Sequence, residues 1–382
     1  MRICIAYDCL FPWTVGGAER WYRNLAERLA QDGHEVTYIT RRQWQDDAWP
    51  QLEGVRVVAI SRSEPLYGAD GNRTTGEPLR FGRGTLGHLL RHGRDYDVVH
   101  MASFPFFSVL AAAVARPLGG YRLVVDWHEL WSAAYWHGYL GGLKGRLGHA
   151  IQRACVRVSH RAFCFSRLHR DRLLAEGFRG EVSVLEGEYA GSLDTPQPDA
   201  AEPLVVFAGR HIAEKRAPAV VAAVMRARDT IPALHGVVYG DGPQRSAVLA
   251  AIEDCGAGGV VEAPGFVDAG ELGAALRRAL CMLLPSSREG YGMVVVEASA
   301  HGTPSVVVAG EDNAAVELVE EGRNGFVAAS AAPEDLAAAI ERVHRAGPQL
   351  RAATCAWFAE NAQRLSIEGS LRTVTAYYRG PS

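Results

Sequence analysis

Two carboxylates eight residues apart, Glu289 and Glu297, flank the glycines Gly290 and Gly292 in the stretch 286–304. Carboxylates accept hydrogen bonds from hydroxyls and repel phosphate, whereas backbone amides at a helix start attract phosphate. The combination suits a ligand that carries phosphate at one end and sugar hydroxyls at the other. The elements that would position it are legible. Residues 279–285 form a short apolar run closed by Pro285 and Ser286, the pattern of a strand buried on both faces of a parallel sheet. Gly290 and Gly292 let backbone approach a ligand, and Met293 and Val294 open an apolar helix that stops near Gly302 and Pro304. Glu289 precedes the turn and Glu297 lies about one turn into the helix, so both can face one crevice.

Phosphate also needs cations. Arg210 and Lys215 follow the apolar strand 204–208, and each charge-assisted hydrogen bond to a diphosphate would contribute about 1.5–3 kcal/mol. Either alone reads as a surface salt-bridge former; the two together, past a strand end in the half that carries Glu289, favour a diphosphate. The strand 235–239 ends in Gly240-Asp241-Gly242-Pro243, a tight turn able to approach a ligand, and a short strand at 260–262 leads to Gly265-Phe266-Val267. In the first half, the strand 121–125 runs into Asp126-Trp127-His128-Glu129-Leu130-Trp131, followed by Tyr135, Trp136, His137 and Tyr139. Asp126, His128 and Glu129 can form a polar cluster at the carboxyl edge of that strand, and the aromatic rings can stack on a ring substrate or simply pack.

Two other patterns carry less. Gly82-Arg83-Gly84-Thr85-Leu86-Gly87 has the spacing of a dinucleotide fingerprint but follows a polar, turn-rich segment instead of a strand, which disfavours a nucleotide there. Asp95-Tyr96-Asp97 has metal-binding spacing but stands before a strand, at the wrong end for a ligand.

The chain has 382 residues, more than one core usually covers, so two domains are expected. Strands at 2–7, 36–40, 97–100, 121–125, 162–166 and 182–185 alternate with helices, the first of which begins at Gly16-Gly17-Ala18-Glu19 and buries Trp21, Leu25 and Leu29. A second alternating series starts at 204, after the proline-rich residues 191–203. These patterns predict two doubly wound parallel sheets: 1–190, a linker at 191–203, 204–365, and a final helical segment, 366–382, long enough to cross back onto the first domain. A net charge of −3 gives no general attraction to nucleic acid. Residues 144–172 are nevertheless rich in Lys, Arg and His with apolar residues at helical spacing, which fits either a solvated helix or a face that touches membrane phospholipid. Seven cysteines without paired spacing read as reduced thiols of a cytoplasmic protein, and no run is long enough to span a bilayer.

Taken together, Gly16-Gly17-Ala18-Glu19, Gly209-Arg210 with Glu214-Lys215, Gly240-Asp241-Gly242, and Glu289-Gly290-Tyr291-Gly292 through Glu297 with Gly302-Thr303-Pro304 resemble the retaining GT-B glycosyltransferases of the group 1, or GT4, family. The resemblance covers nearly the whole chain. It implies two Rossmann-like domains facing across a cleft, a nucleotide-diphosphate sugar held by the C-terminal one, an acceptor (glycan, glycolipid or natural product) held by the other, and no essential metal or cofactor. It assigns the donor diphosphate to Arg210, Lys215, Gly16, Gly17 and the amides of Gly292, Met293 and Val294. Glu289, with Gly290 and Tyr291, would hold the donor sugar, and Glu297 the ribose, near Gly240, Gly242, Phe266 and Val267. His128 would stand near the reacting centre, with Trp127, Glu129 and Trp131 toward the acceptor. Here Glu129 stands where Asp is commoner and Tyr291 where Phe is commoner. The implied reaction is a front-face displacement in which the leaving diphosphate takes the acceptor's proton. A nucleotide-sugar epimerase on the same fold and a non-catalytic nucleotide-sugar-binding protein stay open as alternatives.

Overall fold

A computed structural model describes residues 1–45, 48–62, 76–197 and 201–379. The chain folds into two compact units, one of residues Met1–Leu185 with the C-terminal segment from Ser370, the other of Glu186–Gly369. The proline-rich stretch 191–203 lies within the second unit, and its residues 198–200 fall outside the described ones.

In the first unit the order is β1 (Arg2–Ala6), α1 (Gly17–Gln31), β2 (Glu35–Arg41), β3 (Val55–Ser61), α2 (Gly76–His92), β4 (Val98–Ala102), α3 (Phe106–Gly119), β5 (Arg122–Trp127), α4 (Ala133–Leu140), α5 (Gly142–Val156), β6 (Arg161–Cys164), α6 (Arg167–Ala175) and β7 (Val182–Val184). The strands form one parallel sheet in the order β3-β2-β1-β4-β5-β6-β7. β4 is buried throughout and β1 and β5 nearly so, which is why each reads as a short apolar run. β3 escaped the sequence reading because it is an edge strand, only half-buried along most of its length. The fingerprint-like glycines sit inside α2. A Cβ on Gly82 would lie 2.6 Å from that of Phe107, and one on Gly84 would lie 2.4 Å from the Ile60 carbonyl oxygen. They let α2 pack closely on α3 and β3, which is a structural reason for the spacing. Asp97 receives the Arg2 amide at 2.8 Å and its guanidinium at 3.1 Å, which fixes the start of β4.

The second unit runs β8 (Leu204–Ala208), α7 (Pro218–Ala227), β9 (His235–Tyr239), α8 (Arg245–Asp254), β10 (Val261–Gly265), α9 (Ala269–Arg278), β11 (Cys281–Leu284), β12 (Arg288–Glu289), α10 (Met293–Ala300), β13 (Ser305–Val308), β14 (Asp312–Asn313), β15 (Gly325–Ala328) and α11 (Pro333–Leu365); α12 (Ile367–Arg379) follows. Its six-stranded parallel sheet has the order β10-β9-β8-β11-β13-β15, and β12 and β14 form a separate two-stranded ribbon. α11 is broken at Gly347, where the backbone turns to φ 59°, ψ −144° ahead of Pro348.

From Ser370 onward α12 belongs to the first unit. Its Val374 and Tyr378 are buried, Arg122 donates to the Tyr378 carbonyl at 2.6 Å, and the Arg122 guanidinium lies over the Tyr377 ring. The expected return of the last helix onto the first sheet is therefore present.

Candidate functional site

In each sheet the strand order reverses once, between β1 and β4 in the first unit and between β8 and β11 in the second. Ligands of open α/β sheets bind outside the carboxyl ends of the strands at that reversal. In the second unit the loops leaving β8 and β11 carry the predicted cations and carboxylate, and the two loops are joined reciprocally. Lys215 Nζ donates to Glu289 Oε1 at 2.5 Å, and Arg288 Nη2 donates to Glu214 Oε1 at 3.2 Å. The Ser287 amide adds a bond to the Glu214 carbonyl at 2.8 Å. Glu289 is 6% exposed and the Lys215 side chain 21%, so the pair is shielded from bulk water on the carboxylate side and open on the ammonium side. A lysine ammonium has three donors, and one bond to Glu289 leaves two for phosphate oxygens.

The chain enters α10 through Gly292, whose φ of 102° lies in the left-handed region. A Cβ there would also fall 2.6 Å from the Ala315 Cβ, so glycine is required by conformation and by space. Behind it, Asn313 on β14 is fully buried and bonds three segments. Its Nδ2 donates to the carbonyls of Ser286 at 3.2 Å and Val308 at 2.8 Å, and its Oδ1 caps the Ala315 amide at 3.1 Å. Asn313 is a positioning residue absent from the sequence-based candidates, because its partners lie on segments distant in sequence.

Met293, Val294 and Glu297 are half-buried on the open side of α10. Tyr291 is not. It is 7% exposed, and its hydroxyl donates to the Glu186 carbonyl at 2.6 Å; burial and the nearby Glu188 push its pKa up. The ring therefore holds the turn in place. Arg210 is exposed beyond β8. Its loop is fixed by the next one: the His211 amide donates to the Asp241 carbonyl at 2.8 Å, and the Gln244 amide donates to the His211 carbonyl at 2.7 Å. Gly240 and Gly242 have φ of 118° and 149°, and a Cβ at Gly240 would lie 1.9 Å from the Gly209 carbonyl oxygen. The close approach predicted for this turn is made to the Arg210 loop. Beyond β10, the Phe266 ring is 63% exposed and Val267 half-buried.

The first unit offers a different chemistry. Asp126, at the end of β5, is fully buried with His100. His100 Nε2 lies 2.7 Å from Asp126 Oδ1, Trp21 Nε1 donates to Asp126 Oδ2 at 2.8 Å, and His100 Nδ1 pairs closely with the Tyr378 hydroxyl. Burial alone would raise the Asp126 carboxyl; the adjacent His100, His128 and Trp21 bring it below the usual carboxylate range. This chain ties α1, β4, β5 and α12 together, its longest bond, His100 to Tyr378, joining residues 278 positions apart. His128, the next residue but one, is half-buried and stacks on Phe165 with ring centroids 4.2 Å apart. Burial pulls its pKa down to about 4, against the opposing charges of Asp126 and Glu129, so the imidazole is neutral at pH 7.

The predicted Asp126–His128–Glu129 cluster thus divides by function. Asp126 faces Trp21 and His100, while Glu129 accepts from Trp131 Nε1 at 2.8 Å. Trp131 is half-buried among Phe104, Tyr135 and Tyr139. Trp127 is wholly buried, packed on Phe106 and donating to His160 Nε2 at 3.1 Å. A side chain with no exposed surface cannot touch an acceptor, so Trp127 is removed from that role. Gly16 precedes α1 in extended conformation, and a Cβ on it would meet the buried Glu19 carboxylate at 2.4 Å; Gly17 is exposed as the first residue of the helix.

Comparison with known proteins places the chain in a family. The family described as glycosyl transferase 4-like domain matches residues 16–186, and the one described as glycosyl transferases group 1 matches residues 194–364. The D-inositol 3-phosphate glycosyltransferase of Segniliparus rotundus is 32% identical over 400 residues, covering 96% of this chain and 86% of its own. Sucrose-phosphate synthase from Thermosynechococcus elongatus has the same fold, with a TM-score of 0.80 at 19% identity over 99% of this chain and 98% of its own. HepE of Anabaena, solved in complex with UDP-glucose, gives a TM-score of 0.73 at 17% identity over 99% of both chains. With both halves matched and a relative aligned along nearly its full length, the chain belongs to the GT4, or glycosyl transferases group 1, family and is a glycosyltransferase of GT-B fold.

Proposed function

We propose that the enzyme moves a sugar from a nucleoside-diphosphate sugar to an acceptor hydroxyl with retention of anomeric configuration. The observation that carries this reading is the reciprocal pairing of Lys215 with Glu289 and Glu214 with Arg288 at the strand-order reversal, beside the Gly292 start of α10. Diphosphate oxygens are held by Arg210, the remaining Lys215 donors and the amides at Gly292, Met293 and Val294. Glu289 holds hydroxyls of the transferred sugar, and Glu297 those of the ribose. Phe266 and Val267 lie toward the base.

Chemistry then needs little from the protein beyond charge stabilisation. The bond from the anomeric carbon to the diphosphate oxygen breaks, and the cations and amides stabilise the charge that develops on the leaving group. The acceptor oxygen bonds to the anomeric carbon from the same side and gives its proton to the departing diphosphate. Neutral His128 contributes as a hydrogen-bonding group at neutral pH, and Trp131 with Glu129 forms part of the acceptor surface. UDP-glucose is the first donor to test, given the ligand of the HepE structure. Acceptors in the range of glycans, lipid-linked saccharides and small polyols fit the partly exposed Trp131 platform. The seven cysteines form no disulfide and six of them are buried, which supports a reducing, cytoplasmic setting.

The test is a thermal-shift screen against nucleotide sugars, followed by analysis of the transferred product by proton NMR. Retention in the product supports the reading, and inversion refutes it. A sugar isomer formed without acceptor would establish the epimerase alternative. Failure to bind any nucleotide sugar would leave the non-catalytic one.

A further inference from the structure

The helix α5 has two faces of opposite character. Gly145, Gly148, Gln152, Cys155 and Val156 are buried. A Cβ on Gly145 would lie 2.4 Å from the Trp136 carbonyl oxygen, and one on Gly148 would lie 2.5 Å from the Trp136 ring. The glycine side of α5 is therefore fitted closely to α4, and the other side is committed outward. On that side Leu143 is 83% exposed and Leu147 60%, with Ala150 and Ala154 also exposed. At the helical repeat these four fall within about 60° of one another, a narrow apolar stripe.

Basic residues border the stripe. Lys144 is exposed on one side and Arg146 and Arg157 on the other, while Arg153 is paired with Glu176 at 3.1 Å. Residues 142–157 contain no Asp or Glu, in a chain whose formal net charge is −3. The neighbouring helix α3, joined to this region by the 2.7 Å bond from Arg116 to the Ser159 carbonyl, adds Val114 at 66% and Leu118 at 60% exposure. Outward leucines set in a basic rim on an otherwise acidic protein match an anionic bilayer surface in both apolar and electrostatic character. Among the described residues no helix is long and apolar enough to cross a membrane, so the contact would be interfacial.

We infer that α5 is a membrane-docking helix: Leu143 and Leu147 insert among the lipids of an anionic phospholipid surface, with Lys144, Arg146 and Arg157 on the headgroups. The contact does not depend on the transferase reading, because it is measured without donor or acceptor.

The experiment is flotation of the full-length protein with extruded vesicles, one set of phosphatidylcholine alone and one containing phosphatidylglycerol. Each basic residue near an anionic surface strengthens binding by about fivefold, so the phosphatidylglycerol vesicles should bind the protein at least tenfold better, and 0.5 M salt (roughly a 4–5 Å screening length) should release most of it. The exposed substitutions Leu143→Gln with Leu147→Gln, and separately Lys144→Glu with Arg146→Glu, should each lower binding about tenfold or more without changing the melting temperature. Equal binding to both vesicle types, no binding to either, or wild-type binding by both variants would overturn the inference. So would a dimer in sedimentation that Leu143→Gln with Leu147→Gln dissolves, since the stripe would then be covered by a second copy. The lipid and salt comparisons use the unaltered protein, so they decide the matter even if a variant misfolds.

Discussion

The proposed division of labour, with Lys215 on the diphosphate and Glu289 on the sugar, is read out by three variants of this ion pair. In Lys215→Met the buried Glu289 carboxylate loses a charge-assisted bond at 2.5 Å, and the diphosphate loses one cation. Leaving such a carboxylate without its partner costs about 1–3 kcal/mol of stability. One charge-assisted contact to phosphate is worth about 1.5–3 kcal/mol, or roughly 10- to 150-fold in Kd. Glu289→Gln acts in the opposite sense on the nucleotide, because it removes a negative charge near the phosphates and frees the ammonium. Binding of the nucleoside diphosphate alone should be unchanged or tighter in Glu289→Gln, while the nucleotide sugar should bind about tenfold more weakly. The double variant should restore part of the stability lost in Lys215→Met, since no buried charge is then left without its partner. Calorimetric titration with UDP and with UDP-glucose, alongside urea unfolding, measures all of these quantities. If Lys215→Met bound UDP within threefold of the wild-type protein, or if Glu289→Gln weakened UDP as much as UDP-glucose, the division of labour between the two side chains would be refuted.

Three further outcomes follow from local geometry. Gly292→Ala places a side chain at φ 102° and 2.6 Å from Ala315; it should destabilise the protein by about 2–4 kcal/mol in urea unfolding and weaken nucleotide binding, and a loss under 0.5 kcal/mol would contradict the argument. Arg216, directly after Lys215, holds a left-handed conformation with φ 49°, so Arg216→Gly should raise stability by about 0.5–1 kcal/mol with Lys215 still in place; a lower urea midpoint would count against it. Burial lowers both His128 and His160 to about 4, and His160 Nε2 accepts a bond from Trp127 that protonation would break. Because the unfolded chain binds these protons and the folded one does not, stability is full above about pH 6.5. It falls as pH drops toward 4, by up to about 1.4 kcal/mol per pH unit for each histidine, and a urea midpoint unchanged between pH 6.5 and 4.5 would exclude this.

Much of this architecture is readable from residue order because fully buried parallel strands leave a plain signature. β1, β4, β5, β8 and β11 are apolar runs with turn residues at their carboxyl ends, and the chemistry-bearing residues follow directly. β3 was not readable, since its half-exposed edge position dilutes the apolar pattern. Site residues divide in a similar way. Lys215 and Glu289 meet as a cation and a carboxylate on adjacent loops should, and Gly292 takes the backbone conformation its turn requires. Trp127 shows why: an aromatic next to a polar motif has the same composition whether it faces a ligand or the core, and only burial tells the two apart. Asn313 and the Trp21–Asp126–His100–Tyr378 chain join residues distant in sequence, and no local pattern announces such partners.

The proposed role of Arg210 and Lys215 is to stabilise the departing diphosphate of a sugar donor. Its most direct test is the kcat/KM for donor consumption, by transfer or by slow hydrolysis, in the wild-type protein and in Arg210→Ala with Lys215→Ala. Loss of two charge-assisted contacts, about 3–6 kcal/mol together, predicts a fall of roughly 10²- to 10⁴-fold with the fold retained. A double variant that stays folded and turns over within tenfold of wild type would contradict the account.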